Sequence, residues 1–194
     1  MMTSETLTSA VPATRDQIVR RVIAVALGAL AVALSAQVEI PLGFFSPVPI
    51  TLQGFAVVLV GLLLGPRLGA AALISYLAMG IAGLPVFAGA SFGFIKILGP
   101  TGGYLIAFPV GAWLAGYIAV HATALAAMVR YLLGAVAGLV VIHLGGWSWL
   151  AIALHDPRAA FAVGVAPFAL IDLTKAVLAA AVARGIGGRV RRVL

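Results

Sequence analysis

The segment PFALIDLTKAVLAAAVA, residues 167–183, would read as an uninterrupted membrane-spanning helix but for Asp172 and Lys175. An ionisable group well inside a bilayer costs at least ~2.5–3.5 kcal/mol. Two of them in one apolar run therefore call for a reason. Three residues apart on a helix, they share a face. Asp172 lies about six residues, roughly 9 Å, in from the outer end of the run. Three chemistries suit the pair. It can neutralise itself and only pack the bundle. It can form a polar site, with the carboxylate accepting from N–H donors and the ammonium drawing an anion or a carbonyl. Or it can relay protons, which asks for several linked titratable groups. His121, His143 and His155 are read at the ends of apolar runs or in connections, which weighs against a relay.

Other residues can join such a site. In PVPITLQ (47–53), two prolines impose an extended entry into an apolar run, and Thr51 and Gln53 follow at its first turns. Thr51 suits a helix cap. Gln53 carries an amide that needs a partner inside a membrane. Lys96 sits in an apolar connection, where it either points inward or snorkels to headgroups. GPTGGY (99–104) resembles a phosphate loop but lacks the Lys and the spacing of a P-loop, so ATP hydrolysis by this chain is not expected. No HExxH, metal-ligand cluster or Ser/His/Asp grouping is present, and the chain has no cysteine.

The elements that must hold these residues follow from composition. The chain has 194 residues, 63% of them hydrophobic and only 9% charged, with a mean hydropathy of +1.20. A soluble domain carries about a quarter charged residues. The bilayer must therefore be the solvent here. A net charge of +7 would point to nucleic acid in a soluble protein. In this chain the arginines cluster at the ends of apolar runs, where they report topology, and nucleic-acid binding is excluded.

Apolar runs lie at about residues 18–36, 50–65, 68–83, 102–122, 125–144 and 166–184. The expected fold is an all-α membrane protein, a compact bundle of six transmembrane helices. It divides into a flexible polar N-terminal tail (1–17), the transmembrane domain (18–185) and a basic cytoplasmic tail (186–194). The start of the first run also has the look of a signal peptide, with Ala33 and Ser35 near a cleavage site, but everything downstream is membrane-embedded too. Placing both termini inside puts Arg15, Arg20, Arg21, Arg67, Arg130, Arg184, Arg189, Arg191 and Arg192 on the inner face and leaves only Lys96 and Arg158 outside. The inner turns are tight, as in GPR at 65–67. The outer segments 37–53, 84–101 and 145–164 are long, apolar and rich in Gly and Pro, so they are expected to fold over the outer mouth of the bundle. Short helices are expected at 147–154 and 158–165, broken at Asp156–Pro157. Ala29, Ala33 and Ala36 give the first span a small-residue face, fit for close packing in the bundle or for docking another membrane protein. No internal repeat at a fixed period is seen.

PLGFFSPVPITLQGFAVVLVGLLLGPRLGAAALISYLAMGIAGLPVFAGASFG, followed by ILGPTGGYLIAFPVGAWLAG and by APFALIDLTKAVLAA with its Asp-x-x-Lys, resembles the BioY family, the biotin-specific substrate-binding (S) components of energy-coupling-factor (ECF) transporters. The resemblance covers about residues 20–185. It implies biotin uptake across the cytoplasmic (inner) membrane, with a biotin site near the outer face closed by the outer loops. Asp172 and Lys175 fall on the family's polar binding residues. Lys96 is where a second cation is expected, commonly Arg in this family. Phe87 and Tyr104 are expected as walls for the biotin rings. The resemblance further implies a coupling transmembrane protein and two cytosolic ATPases as partners, docking on the alanine face of the first span, with ATP used by those subunits only and no cofactor in this chain. It also implies reorientation of the whole loaded bundle. Three alternatives stand beside it: an S component or facilitator for another vitamin-like solute, a small integral-membrane enzyme with Asp172 as acid/base, and a structural subunit in which the pair only packs.

Overall fold

A computed structural model of the protein describes residues 14–194; the greater part of the expected N-terminal tail (1–17) lies outside them. The described chain is mostly helical. Helix α1 spans Arg15–Ala36. A two-stranded antiparallel ribbon follows, β1 (Glu39–Ile40) against β2 (Ile50–Thr51), with Glu39 opposite Thr51. Then come α2 (Gln53–Ile81), the short α3 (Phe94–Leu98), α4 (Gly102–His121), α5 (Ala127–Leu154), α6 (Pro157–Gly164) and α7 (Ala169–Val193). Four of these, α1, α2, α4 and α5, are long and apolar enough to cross a membrane, and α6 with α7 makes a fifth candidate bent by 52°.

Helix α2 is interrupted in its middle and changes direction there. Gly65 has φ 79° and ψ 179°, and Pro66 follows. A side chain would strain at that φ, and the proline cannot donate to the carbonyl four residues back. The chain folds back on itself at this point. Gln53 and Tyr76, 23 positions apart, are hydrogen-bonded to each other, and a Cβ on Gly69 would lie 2.9 Å from the Cα of Gly61. The expected second and third apolar runs are thus two arms of one hairpin, with the tight turn at GPR.

Glycine sets how closely the central helices approach. A Cβ on Gly61 would sit 2.2 Å from the Ala112 carbonyl oxygen of α4, and one on Gly103 would sit 2.4 Å from the Gly145 oxygen of α5. Backbones that near leave no room for any side chain, so α2, α4 and α5 form the densest part of the bundle. Helix α1 lies on its side. Ala29, Ala33 and Ala36 are buried in the core, and a Cβ on neighbouring Gly28 would be 3.0 Å from the Ala72 Cβ of α2. The small-residue face is therefore used inside the molecule. The expected docking role of Ala29, Ala33 and Ala36 is corrected: close packing on α2 already consumes them. The open face of α1 carries Val22, Leu27, Leu30 and Leu34 instead.

Two expected boundaries also move. Thr14 caps α1 through a reciprocal pair with Gln17, so helix begins inside the segment read as a tail. At the other end α7 runs on to Val193, through the residues read as a basic tail. One of its arginines, Arg191, is used rather than solvated. The Arg191 guanidinium donates to the Leu62 carbonyl and to the Tyr131 hydroxyl. Leu62 is the residue whose helical donor would be Pro66, so Arg191 supplies the proton that proline lacks. Arg20 and Arg21 of α1 donate to the main-chain oxygens of Val193 and Leu194. The start of α1, the turn of α2 and the end of α7 therefore share one end of the bundle. Charged hydrogen bonds of this kind are worth about 1.5–3 kcal/mol. Arg191→Leu is expected to lower the melting temperature in detergent by roughly 5 °C, whereas Arg189→Leu at an exposed site leaves it unchanged. Equal melting of all three proteins would refute the cap.

Candidate functional site

The opposite end of the bundle holds a narrow cavity of about 70 Å³. Thr51, Gln53, Phe87, Lys96, Tyr104, Asp172 and Lys175 all line it. They arrive from β2, the start of α2, the loop beyond its second arm, α3, α4 and α7. Positions more than a hundred residues apart in sequence thus meet around one space.

Asp172 and Lys175 are both buried, at 8% and 7% exposure. The chain makes a non-helical turn before α7, so Asp172 lies in that helix's first turn rather than about six residues in. The positive end of the helix dipole favours a carboxylate there. Lys175 Nζ donates to Asp172 Oδ1 at 2.6 Å. His143 Nε2 stands 2.5 Å from the other oxygen, Oδ2. From sequence alone this histidine falls at the end of a span, away from any site. Helix α5 in fact runs ten residues past the expected end at 144, to Leu154, because Gly145 and Gly146 pack against α4 instead of opening a loop. His143 is therefore well inside the helix, facing α7. The expected helix 147–154 is the end of α5, while the expected break at Asp156–Pro157 is found, with Asp156 capping α6.

Gln53 has its partners within the protein. Its Nε2 donates to the Tyr76 hydroxyl at 2.8 Å, and Tyr76 passes the bond on to the Val86 carbonyl at 3.2 Å. Thr51 Oγ1 donates to Gln53 Oε1 and accepts from the Gln53 backbone N–H, both at 3.2 Å. The N-cap position of α2 is Leu52, which has no side-chain cap, so Thr51 is not the cap expected; it ties Gln53 in place and lines the cavity wall. Lys96 differs from Lys175: among the described residues it has no ion-pair partner.

Two aromatic walls rest on glycine. Phe87 is fully buried, edge-on to Tyr76, and a Cβ on Gly80 would lie 2.1 Å from its ring. Tyr104 is packed as closely on Gly146, and its hydroxyl donates to the Gly164 carbonyl at 2.6 Å. The segments around the cavity hold one another in place. Gln37 Nε2 donates to the Phe87 carbonyl, Ser46 Oγ to Val163 and Trp149 Nε1 to Gly99. Arranged in this way, the site offers a carboxylate, two ammonium groups, an amide and two ring walls. That suits a small ligand with N–H donors, a carbonyl, an apolar body and an anionic end. Among the described residues no group of side chains could hold a metal ion.

The sequence profile of the BioY family matches residues 2–192. A probable biotin transporter BioY of Pyrococcus horikoshii is 46% identical over 84% of this chain and 96% of its own length. The biotin transporter BioY of Thermotoga maritima is 42% identical over 78% of this chain and 86% of its own. Among solved structures, the S-component for biotin from an ECF-type ABC transporter superposes with a TM-score of 0.81 at 28% identity, covering 90% of this chain and 94% of that one.

Proposed function

The chain belongs to the BioY family, and from that premise we propose that it is the biotin-binding S component of an ECF transporter, a multi-pass membrane protein and not an enzyme. The observation that carries the reading is the convergence of Asp172, Lys175, Lys96, Gln53 and two ring walls on one cavity. Biotin presents matching groups. Its ureido N–H groups face Asp172 and its ureido carbonyl faces Lys175. Its fused rings lie between Phe87 and Tyr104. Its carboxylate goes to Lys96, since Lys175 is already engaged by Asp172.

The α2 hairpin supports counting six membrane helices, its two arms each taken as a short span. The arginine-rich end supports an orientation, under the positive-inside rule, with both termini on the cytoplasmic side of the inner membrane and the cavity toward the outside. The chain requires no cofactor. Energy comes from a coupling membrane protein and cytosolic ATPases, and the coupling protein docks on the open apolar face of α1 rather than on its alanines.

Calorimetry with the detergent-purified protein tests the reading. Biotin is expected to bind with one site per chain. The alcohol analogue of biotin, which lacks the carboxylate, is expected to bind about tenfold more weakly, the worth of roughly one charge-assisted contact. In Lys96→Met the two ligands bind alike. No heat with biotin from a folded wild type refutes the function, and an undiminished preference for biotin in Lys96→Met refutes the role of Lys96.

A further inference from the structure

We propose that His143 is a positioning residue of this site, acting through Asp172; the inference rests on the biotin reading above. The ring lies where a purely apolar side chain would pack well, edge-on to Tyr104 at 6.2 Å and tilted against Phe168 at 6.1 Å between centroids. Its Nδ1 is buried with no hydrogen-bond partner among the described residues. A buried polar atom left unpaired is a cost. The ring has one polar contact in return, Nε2 to Asp172 Oδ2 at 2.5 Å. An imidazole that sacrifices one nitrogen and spends the other on a single carboxylate is there for that carboxylate.

Geometry says what it does. Lys175 approaches Oδ1 from the same helix as Asp172, on a long and flexible chain. His143 approaches Oδ2 from α5, on a short side chain. Held on both oxygens from two helices, the carboxylate cannot rotate about its terminal bond. An ionised carboxylate has about four acceptor directions, and the two left free point where the clamp sets them. A ligand N–H then meets an oriented acceptor. His143 also stands between two spaces, for with Leu139 and Asp172 it lines both the ligand cavity and an apolar groove of about 450 Å³ between α5 and α7. Its ring and the bond to Asp172 separate them.

Amide isosteres test this. The amide nitrogen of Gln superposes on Nε2 of histidine and that of Asn on Nδ1, so only Gln can keep the bond to Asp172. Biotin affinity is expected to stay within about threefold of wild type in His143→Gln and to fall by about tenfold to a hundredfold in both His143→Asn and His143→Leu. Melting in detergent, measured on the same samples, shows that each variant is folded at the temperature of the binding measurement. A pure packing role reverses the binding order, with Leu binding best. Wild-type affinity in His143→Leu, or an equal loss in His143→Gln, overturns the proposal while the biotin reading stands. Absence of biotin binding by the wild type overturns both, and that is read before any substitution is compared.

Discussion

Asp172→Asn is expected to weaken biotin binding by at least about a hundredfold, near 3 kcal/mol. The substitution keeps shape and removes charge. It strips the partner from Lys175, which is 7% exposed, and turns one ligand-accepting oxygen into an amide that donates. Breaking a buried pair by removing one member costs about 3–5 kcal/mol, because the other charge is left uncompensated. The same loss would therefore follow if the pair only held the bundle together, and the double variant separates the cases. Asp172→Asn combined with Lys175→Met has no orphan charge, and apolar or neutral replacements of buried pairs are commonly neutral or stabilising. It is expected to melt no lower than wild type and still to bind no biotin. Recovery of binding in the double variant would show that the charges serve packing.

The second large effect is expected from Gly146→Ala and Gly80→Ala, each weakening biotin by roughly tenfold to a hundredfold with the polar groups untouched. In both cases the new methyl would lie 2.1 Å from ring carbons, of Tyr104 and Phe87 respectively. A ring cannot yield in part, as a flexible chain end can. Overpacking of this sort costs about 1–3 kcal/mol. Tyr104 is pinned at its hydroxyl by Gly164, so the ring tips toward the cavity, the nearest free space. Gly185→Ala and Gly188→Ala meet nothing within 4 Å and serve as controls with unchanged affinity. Wild-type affinity in both ring-facing variants would mean that the walls do not bound the ligand.

The polar and aromatic lining was legible in the sequence because grease makes charge conspicuous. In a chain with 9% charged residues, Asp172, Lys175 and Lys96 needed explaining, and all line one cavity. His143 was missed because Gly145-Gly146 reads as a loop signal. In this fold the pair lets α5 pass close to α4, so the helix continues and carries His143 with it. The alanines of α1 show the converse. A small-residue stripe announces close contact but not with what, and here the contact is α2. Arg191 was read as part of a basic tail because neighbouring arginines suggest one. The missing N–H of Pro66 was the available signal that some donor had to reach Leu62.

That donor lies 129 positions further along the chain. During synthesis the α2 hairpin enters the membrane long before Arg191 exists. Its turn must stand with a bare carbonyl, served by water or lipid headgroups, until the last helix arrives. The hairpin is thus locked late, and the event that locks it also brings Asp172 and Lys175 of the same helix to the mouth of the site. Completion of the membrane domain and completion of the binding cavity are, in order of assembly, one step.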